Sequence, residues 1–176
     1  MSEHAEARVA VRESLPSEYA EAGRVTADAY RRFAREGDPD WQEYLDRIAD
    51  VGGRAERSTV LVAIEAGRIV GSATLELSER VEPDDDPALE PQEAHLRMLG
   101  VHPDHRRRGI GRALMHACFD RARARGKTFM TLHTTAPMSE ARQMYERLGF
   151  ERLEDRVFPD GFVLLSYRRP IDPPID

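Results

Sequence analysis

The chain has 176 residues, of which 40% are apolar and 33% are charged, and its formal net charge is −6 at pH 7. This length fits one domain, and the composition is typical of a globular protein with a well-hydrated surface. The acidic balance argues against nucleic-acid binding, which usually needs a basic surface. The sequence has no run of about 18 apolar residues, so it predicts no membrane span and no membrane partner.

The N-terminus and the cysteine content indicate a reducing compartment. The first residues lack the basic start and the apolar run of a signal peptide. The single cysteine, Cys118, excludes an intramolecular disulfide. We therefore expect a cytoplasmic protein with one domain over residues 1–169. Residues 170–176 contain three prolines and are predicted to form a flexible C-terminal tail.

The N-terminal part predicts a short strand and two helices. Residues 9–11 alternate with polar neighbours, as in a strand. Apolar side chains then recur at helical spacing from residue 16 to about residue 37. Asp38 and Pro39 predict the start of a second helix, which Gly52 and Gly53 are expected to close.

The remaining elements alternate between strands and helices. Predicted strands cover residues 58–64, 68–77, 94–101, 128–133, 150–157 and 162–167, and predicted helices cover 109–125 and 139–148. Residues 79–92 contain three prolines and three consecutive aspartates, which is typical of an exposed loop. The mixed order predicts a single α/β sheet with helices on both faces.

A basic turn that contains two glycines connects the strand at 94–101 to the helix at 109–125. The first turn of a helix has N–H groups without intrahelical partners, and its dipole adds positive charge. Together they favour a phosphate or pyrophosphate. Gly109 and Gly111 let the backbone approach such an anion. The glycine spacing fits neither the nucleotide-triphosphate loop nor the dinucleotide fingerprint.

Two motifs resemble those of the GNAT N-acetyltransferases. Arg106-Arg107-Arg108-Gly109-Ile110-Gly111 is similar to the [QR]-x-x-G-x-[GA] signature of that family. Residues 141–150 resemble the family's later helix, which presents a tyrosine and ends in Gly-Phe before a strand. The resemblance covers residues 58–168 well and residues 7–53 in element order alone. It implies an α/β (α+β) fold with a single mixed, mostly antiparallel sheet of about seven strands and about four flanking helices.

The resemblance also implies acetyl-CoA as co-substrate and no metal. The pantetheine arm would lie in a gap between the strands at 94–101 and 128–133, and the pyrophosphate on the amides of residues 107–112. The implied cofactor-binding residues are Leu99, Gly100, Val101, Arg106, Arg107, Arg108, Gly109, Ile110, Gly111, Arg112 and Ala113.

By this resemblance an amine attacks the thioester directly in a ternary complex. A lysine-like ammonium has a pKa of about 10.4 and must lose a proton before it attacks. Tyr145 matches the family's general acid, with a packing role as the alternative. His95 is the candidate base, with a structural His95 as the alternative and Glu93, Glu76, His133 or water in reserve. The backbone N–H of Val101 is a candidate donor to the oxyanion.

One position departs from the family pattern. Many relatives have an asparagine ahead of the alanine of the tyrosine helix, at the position where this chain has Met138. A side-chain contact to the cofactor is therefore not expected there, and Ser139 is predicted to cap the helix. Cys118 lies on an apolar helical stripe and is interpreted as a buried packing residue, not a nucleophile.

These observations predict an N-acetyltransferase that acts on a primary amine of a small molecule or peptide. Residues 15–53 and 79–92 are expected to choose the acceptor. The acidic loop would either attract a cationic amine or serve as solvated surface. The alternative function is a non-catalytic acyl-CoA-binding sensor. The family includes monomers and dimers, so a homodimer is one of the expected states.

Overall fold

The computed structural model of the chain describes residues 8–34, 37–81 and 87–175. This part of the chain forms eight strands and five α-helices. The strands are β1 (Ala10–Glu13), β2 (Thr59–Glu65), β3 (Arg68–Glu76), β4 (Glu93–Val101), β5 (Phe129–Thr134), β6 (Glu151–Arg152), β7 (Arg156–Val157) and β8 (Val163–Pro170). The helices are α1 (Tyr19–Arg31), α2 (Pro39–Ala49), α3 (Val51–Ala55), α4 (Ile110–Ala124) and α5 (Ser139–Arg147).

All eight strands belong to one sheet, in the order β1-β2-β3-β4-β5-β8-β6, with β7 paired to β8 off this path. The β4–β5 pair is parallel, and the other recorded pairs are antiparallel. The predicted mixed, mostly antiparallel sheet is therefore confirmed. The strand predicted over residues 150–157 is two short strands, β6 and β7, which raises the count by one.

The sheet opens between β4 and β5. Their pairing runs from Glu93 opposite Phe129 to Leu96 opposite Leu132 and continues no further. Just beyond this point Met98 has a φ of 49°, and the β3–β4 register shifts between Ser72 and Thr74. Such a bulge bends a strand and increases its twist. The gap expected between these two strands is present.

Helices cover both faces of the sheet. On one face α4 and α5 pack against β2, β3, β5 and β8, and Leu61, Leu75, Leu114, Phe119 and Tyr167 are fully buried there. On the other face α1 and α3 cover Val60 and Val62. Burial of each large apolar side chain is worth roughly 1.5–3 kcal/mol. The helices are therefore held firmly against the strands that bear the site.

The start of α4 is fixed by close contact with the sheet. A Cβ on Gly71 would lie 3.1 Å from Gly100 O, from Ile110 Cγ2 and from Leu114 Cδ1. Glycine at residue 71 therefore lets the first turns of α4 sit directly on β3 and β4. This contact places the N-terminus of α4 beside the gap.

The N-terminal helices differ in detail from the prediction. A 3-10 turn over Pro16–Glu18 precedes α1, and α2 ends at Ala49. Gly52 and Gly53 do not close α2; they lie inside α3, so that prediction is wrong. The reason is local, because the Asp50 carboxylate accepts the Gly53 N–H at 3.0 Å and starts a new helix.

The segment predicted as a flexible tail lies against the domain as far as residue 175. Ile171 is fully buried in the core under α4. Arg123 Nε donates to Asp172 Oδ1 at 3.1 Å, and Arg169 Nη2 donates to Pro173 O at 2.9 Å. Packing is thus continuous across residue 170, and the boundary at that residue stays a prediction.

Gly23 allows α1 to approach α2, and its substitution should destabilise the fold. A Cβ at residue 23 would collide with the carbonyl oxygen of Ala49. We expect Gly23→Ala to lower the free energy of unfolding by about 2 kcal/mol, the range for overpacking. Urea denaturation measures this change.

Gly52→Ala is the matched control for that experiment. A Cβ at residue 52, within α3, would lie 3.6 Å from Tyr19 Cδ2 of α1, which is an ordinary van der Waals distance. Stability should stay equal or rise by up to about 1 kcal/mol. Equal effects of the two substitutions would contradict the close α1–α2 approach.

Candidate active site

A cleft of about 650 Å³ opens where β4 and β5 separate. The end of β4 forms its floor through Leu99, Gly100 and Val101. The first turn of α4, the helix α5 and the last turn of α1 form its walls. The two motifs that the sequence singled out, near residues 109 and 145, therefore face each other across one cleft.

The start of α4 is built as an anion site. Gly109 is the N-cap residue and has a φ of 75°, a left-handed conformation that is unfavourable for residues with a Cβ. The Ala113 N–H donates to Gly109 O at 3.0 Å, which is the first bond of the helix. The preceding N–H groups of a helix have no intrahelical acceptor. Gly109, Ile110, Gly111 and Arg112 all line the cleft.

The arginines of the turn have different environments. Arg106 lines the cleft, and its Nη2 lies 3.4 Å from Ala29 O. Burial lowers the pKa of the Arg106 guanidinium, and the nearby charge of Arg32 lowers it further. The Arg107 side chain is 87% exposed at the rim, with Nη2 3.8 Å from Glu140 Oε1. These positions put positive charge at the mouth of the cleft.

Two residues expected to bind cofactor do not line the cleft. Arg108 turns back toward the sheet, where its Nη1 and Nη2 donate to the Glu65 carboxylate at 2.9 and 2.8 Å. Glu65 is buried, so it needs this partner. Ala113 uses its N–H inside the helix and has none left for an anion. The other predicted cofactor residues lie together in the cleft.

Tyr145 reaches the cleft from α5. Its ring packs edge-on against Phe150, with centroids 5.8 Å apart, and lies 6.4 Å from the ring of Tyr167. Burial raises the pKa of the Tyr145 hydroxyl well above its usual value, and Cys118 adds to the shift. Tyr145 is therefore both a packing residue and a protonated phenol at the cleft wall.

His95 lies outside the cleft, in a neighbouring cavity of about 340 Å³ that also contains Glu93, Thr131 and Arg80. His133 lines both spaces. The His95 and His133 rings are 5.0 Å apart, and His133 Nδ1 lies 3.1 Å from Ser166 Oγ. His133 therefore connects the cleft to the cavity that holds His95.

Glu76 and Glu93, the two carboxylates considered as alternative bases, both form ion pairs with arginine side chains. Glu76 is fully buried and accepts the Val81 N–H at 3.0 Å. Its two oxygens lie 3.5 Å from Arg97 Nη1 and 3.6 Å from Arg80 Nη1. Glu93 pairs with Arg80 at 3.4 Å. Both carboxylates hold arginine side chains in place beneath the site. A carboxylate that is paired in this way is poorly suited to act as the general base.

A comparison with protein families agrees with this geometry. The model of the Acetyltransferase (GNAT) family matches residues 22–150, which is most of the chain. This chain belongs to the GNAT acetyltransferase family. The match contains the gap, the basic turn, α4 and the tyrosine of α5.

Curated relatives of this GNAT chain are N-acetyltransferases. "N-acetyltransferase family 8 member 3" of Rattus norvegicus is 33% identical over 91 residues, which is 52% of this chain and 37% of the rat protein. The "[Ribosomal protein bS18]-alanine N-acetyltransferase" of Escherichia coli K12 is 40% identical over 58 residues, 33% of this chain and 39% of that protein. The chain thus spans under two fifths of the length of these relatives.

Solved structures share the fold over nearly the whole GNAT chain. The ribosomal-protein-S18-alanine N-acetyltransferase of Escherichia coli has a TM-score of 0.67 at 22% identity, over 93% of this chain and 94% of the other. A GNAT acetyltransferase of Brucella melitensis in complex with acetyl-CoA has a TM-score of 0.63 at 20% identity, over 97% and 92%. At sequence identities this low, the similarity shows a shared fold alone.

The α5 helix of this GNAT chain begins without the predicted cap. Its N-cap residue is Met138, and Ser139 is the first helical residue, so the capping role given to Ser139 is wrong. The chain leaves β5 at Thr134, and Thr134 Oγ1 lies 3.6 Å from Met138 Sδ. This contact holds Met138 at the cleft wall.

Sequence reasoning missed Thr131 and the end of α1. Thr131 lies two residues before His133 on β5, so alternation places both on one face. The sequence gives no register between β4 and β5, however, and cannot pair Thr131 with His95. Tyr30 and Phe33 of the α1 end line the cleft only because α1 packs across β4.

The part of the chain that the structure describes contains no helix long and apolar enough to cross a membrane. In the same residues no group of three or more His, Cys, Asp or Glu side chains could hold a metal ion. Residues 82–86, which contain Glu82, Asp84, Asp85 and Asp86 of the predicted acidic loop, lie outside the described ranges.

Cys118 is fully buried on α4, and burial raises the pKa of its thiol to about 12. We expect the native protein to react negligibly with a thiol-specific disulfide reagent at pH 8, because the thiolate is the reactive form. Absorbance of the released aromatic thiol measures the reaction, and unfolding in urea should release one equivalent. Rapid labelling of the native protein would contradict the burial of Cys118.

Proposed function

We propose that this protein transfers the acetyl group of acetyl-CoA to a primary amine of a small molecule or peptide. The observation that carries the proposal is a single cleft that contains the open edge of β4, the N-terminus of α4 and Tyr145. These three features supply a place for an extended cofactor arm, an anion site and a hydrogen-bond donor. The named N-acetyltransferase relatives support the same reaction class.

The cofactor fits the cleft by its charge and shape. The pyrophosphate would lie over the N–H groups at residues 109–112, with Arg106, Arg107 and Arg112 nearby. The pantetheine arm would extend along Leu99–Val101, whose backbone faces the gap. Arg108 would act indirectly, because its bond to Glu65 holds the turn in shape. Ala113 would contribute to the helix and not to a direct contact.

Attack by the amine produces an oxyanion and then a thiolate. The Val101 N–H at the gap is the proposed oxyanion donor. Tyr145 is the proposed donor to the thiolate sulfur. The coenzyme thiol is an alkyl thiol like that of cysteine, whose pKa is about 8.5, far below that of the buried phenol. Tyr145 would therefore stabilise the thiolate by hydrogen bonding, while complete proton transfer from it would be uphill.

The alternative function is an acyl-CoA sensor that binds the cofactor without turnover. It would need the anion site and the β4 edge but no protonated group beside the thioester. The buried, protonated Tyr145 at the cleft wall favours the enzyme.

Saturating acetyl-CoA should stabilise the protein against heat. A ligand at a hundredfold excess over Kd adds about 2.7 kcal/mol to the native state, so we expect Tm to rise by roughly 5–10 °C. Gly111→Glu should abolish the shift, because it places a carboxylate at the proposed pyrophosphate site. Scanning fluorimetry measures both.

Ala124→Glu is the control, since it adds the same carboxylate to the exposed far end of α4. It should retain the full acetyl-CoA shift. Acetyl-pantetheine, which lacks the pyrophosphate, should produce almost none. A normal shift with Gly111→Glu would contradict the location of the pyrophosphate.

Tyr145→Phe should lower turnover by about 10²-fold, the lower range for removal of one preorganised hydrogen-bond donor, and leave the acetyl-CoA shift unchanged. Thiol release measures turnover with three acceptors: a peptide with a free N-terminal alanine, an N-terminally blocked lysine peptide, and spermidine. The first follows the activity named for the Escherichia coli relative.

Tyr19→Phe, which removes a hydroxyl from the first turn of α1, is the control and should keep the full rate. Wild-type protein that binds acetyl-CoA and acetylates none of the three acceptors would favour the sensor. Wild-type turnover with equal activity in Tyr145→Phe would remove Tyr145 from the reaction.

A further inference from the structure

A chain of hydrogen bonds joins β4 to β5 beneath the cleft. Thr131 Oγ1 lies 2.5 Å from Glu93 Oε1 and 2.7 Å from His95 Nδ1. His95 and Thr131 are direct partners in the parallel β4–β5 ladder. The three side chains therefore share one face of the sheet, on the two strands that separate to form the cleft.

The surroundings of Glu93 indicate that its carboxyl group is ionised. Oε1 accepts from Thr131 and lies 3.4 Å from Arg80 Nη2, while Oε2 accepts the Glu90 N–H at 3.0 Å. An O–H···O distance near 2.5–2.7 Å is typical of a bond to a charged oxygen. Glu93 is thus an acceptor at both oxygens.

This arrangement fixes the proton order along the chain. A threonine hydroxyl has one proton, and Thr131 gives it to Glu93. Thr131 Oγ1 must then accept from His95, so the Nδ1 atom of His95 carries a proton. The lone pair of neutral His95 therefore resides on Nε2. The bond made by one ring nitrogen sets the state of the other.

His95 occupies a useful place for proton transfer. It lines the 340 Å³ cavity, and its ring is 5.0 Å from His133, which also lines the acetyl-CoA cleft proposed above. Glu76 is the cross-strand partner of His95 on β3, and Arg80 and Arg97 both pair with Glu76. The two arginines balance the charge of the two glutamates around the imidazole of His95.

We propose that Glu93 and Thr131 are positioning residues that hold His95 in its Nδ1–H tautomer and so present Nε2 as the base for the acceptor amine. The role of His95 as base rests on the proposed acetyl transfer; the tautomer does not. A charge on His95 would be stabilised through Thr131 by the fixed carboxylate of Glu93. The cavity is then the side from which the amine approaches.

The proton balance of the reaction is complete with these groups. The ammonium gives one proton to His95 Nε2, and the resulting amine forms a C–N bond with the thioester carbonyl carbon. As the C–S bond breaks, the second N–H proton passes to the sulfur that Tyr145 stabilises. The products are an amide and the coenzyme thiol, and the proton on His95 returns to water.

The tautomer can be measured without any substrate. The full chain, labelled with 15N-histidine, gives signals from six histidines, and His95→Gln assigns one of them in long-range 1H–15N spectra at pH 8.5. We expect His95 to be the Nδ1–H tautomer in the wild type and in Thr131→Ser. Thr131→Val keeps the shape but loses the hydroxyl, so its spectrum should shift toward Nε2–H. An Nε2–H wild type, or no change in Thr131→Val, would overturn the proposal.

Turnover tests the consequence of the tautomer. With the peptide that has an N-terminal alanine, kcat should fall at least tenfold in Thr131→Val and stay within about threefold of wild type in Thr131→Ser. The acetyl-CoA thermal shift should be equal in all three, because Thr131 does not line the cofactor cleft. Equal kcat in Thr131→Val would overturn the positioning role.

The two proposals fail in different ways. A wild type that binds acetyl-CoA and acetylates none of the acceptors contradicts the acetyl transfer, and the histidine spectra still decide the tautomer. A wild type that acetylates the peptide but has His95 as Nε2–H retains the enzyme and removes this base.

Discussion

The interrupted pairing of β4 and β5 is the constraint on which the rest of the site depends. Parallel strands in the interior of a sheet normally satisfy each other's backbone groups, and buried groups without a partner are costly. Here the ladder ends at Leu96 and Leu132, and the bulge at Met98 turns β4 away. The backbone of residues 99–101 faces a cleft in place of a neighbouring strand. A ligand with an extended polar arm can pair with such an edge.

The same opening explains why the start of α4 lies at the cleft. The connection from β4 to α4 is short, and the contact of Gly71 with Ile110 and Leu114 holds the first turn against the sheet. The helix N-terminus therefore points toward the space that the strands leave. Arg108 secures the turn from the other side through Glu65, whereas Arg106, Arg107 and Arg112 line the cleft.

An acidic protein thus carries a local basic site without a basic surface. Arg108 pairs with the buried Glu65, and Arg107 and Arg32 share Glu140 at the rim. Beneath the cleft the pattern is different, because Glu76, Glu93, Arg80 and Arg97 neutralise one another. Charge is therefore exposed where an anion would bind and compensated where the sheet is buried.

Local signals in the sequence determined the elements and both motifs. Strands and helices follow from the periodicity of apolar residues, and the anion site follows from two glycines and a helix start, all within a few residues. The motif places Tyr145 on the last helix, where it lines the cleft, and its role in the reaction stays a prediction. The predictions that Gly52 and Gly53 end a helix and that Ser139 caps one were wrong. In the first case the Asp50 side chain starts a new helix, and in the second the helix begins after Met138.

Tertiary structure decided which residues meet. The turn that holds Arg106 and Arg107 at the cleft sends Arg108 to Glu65, a partner 43 residues away that no local pattern reveals. The hydrogen bond from His95 to Thr131 spans 36 residues and depends on the register of a parallel pair, which the sequence leaves undefined. Periodicity gives the face on which a side chain lies; only the packed sheet gives its neighbour.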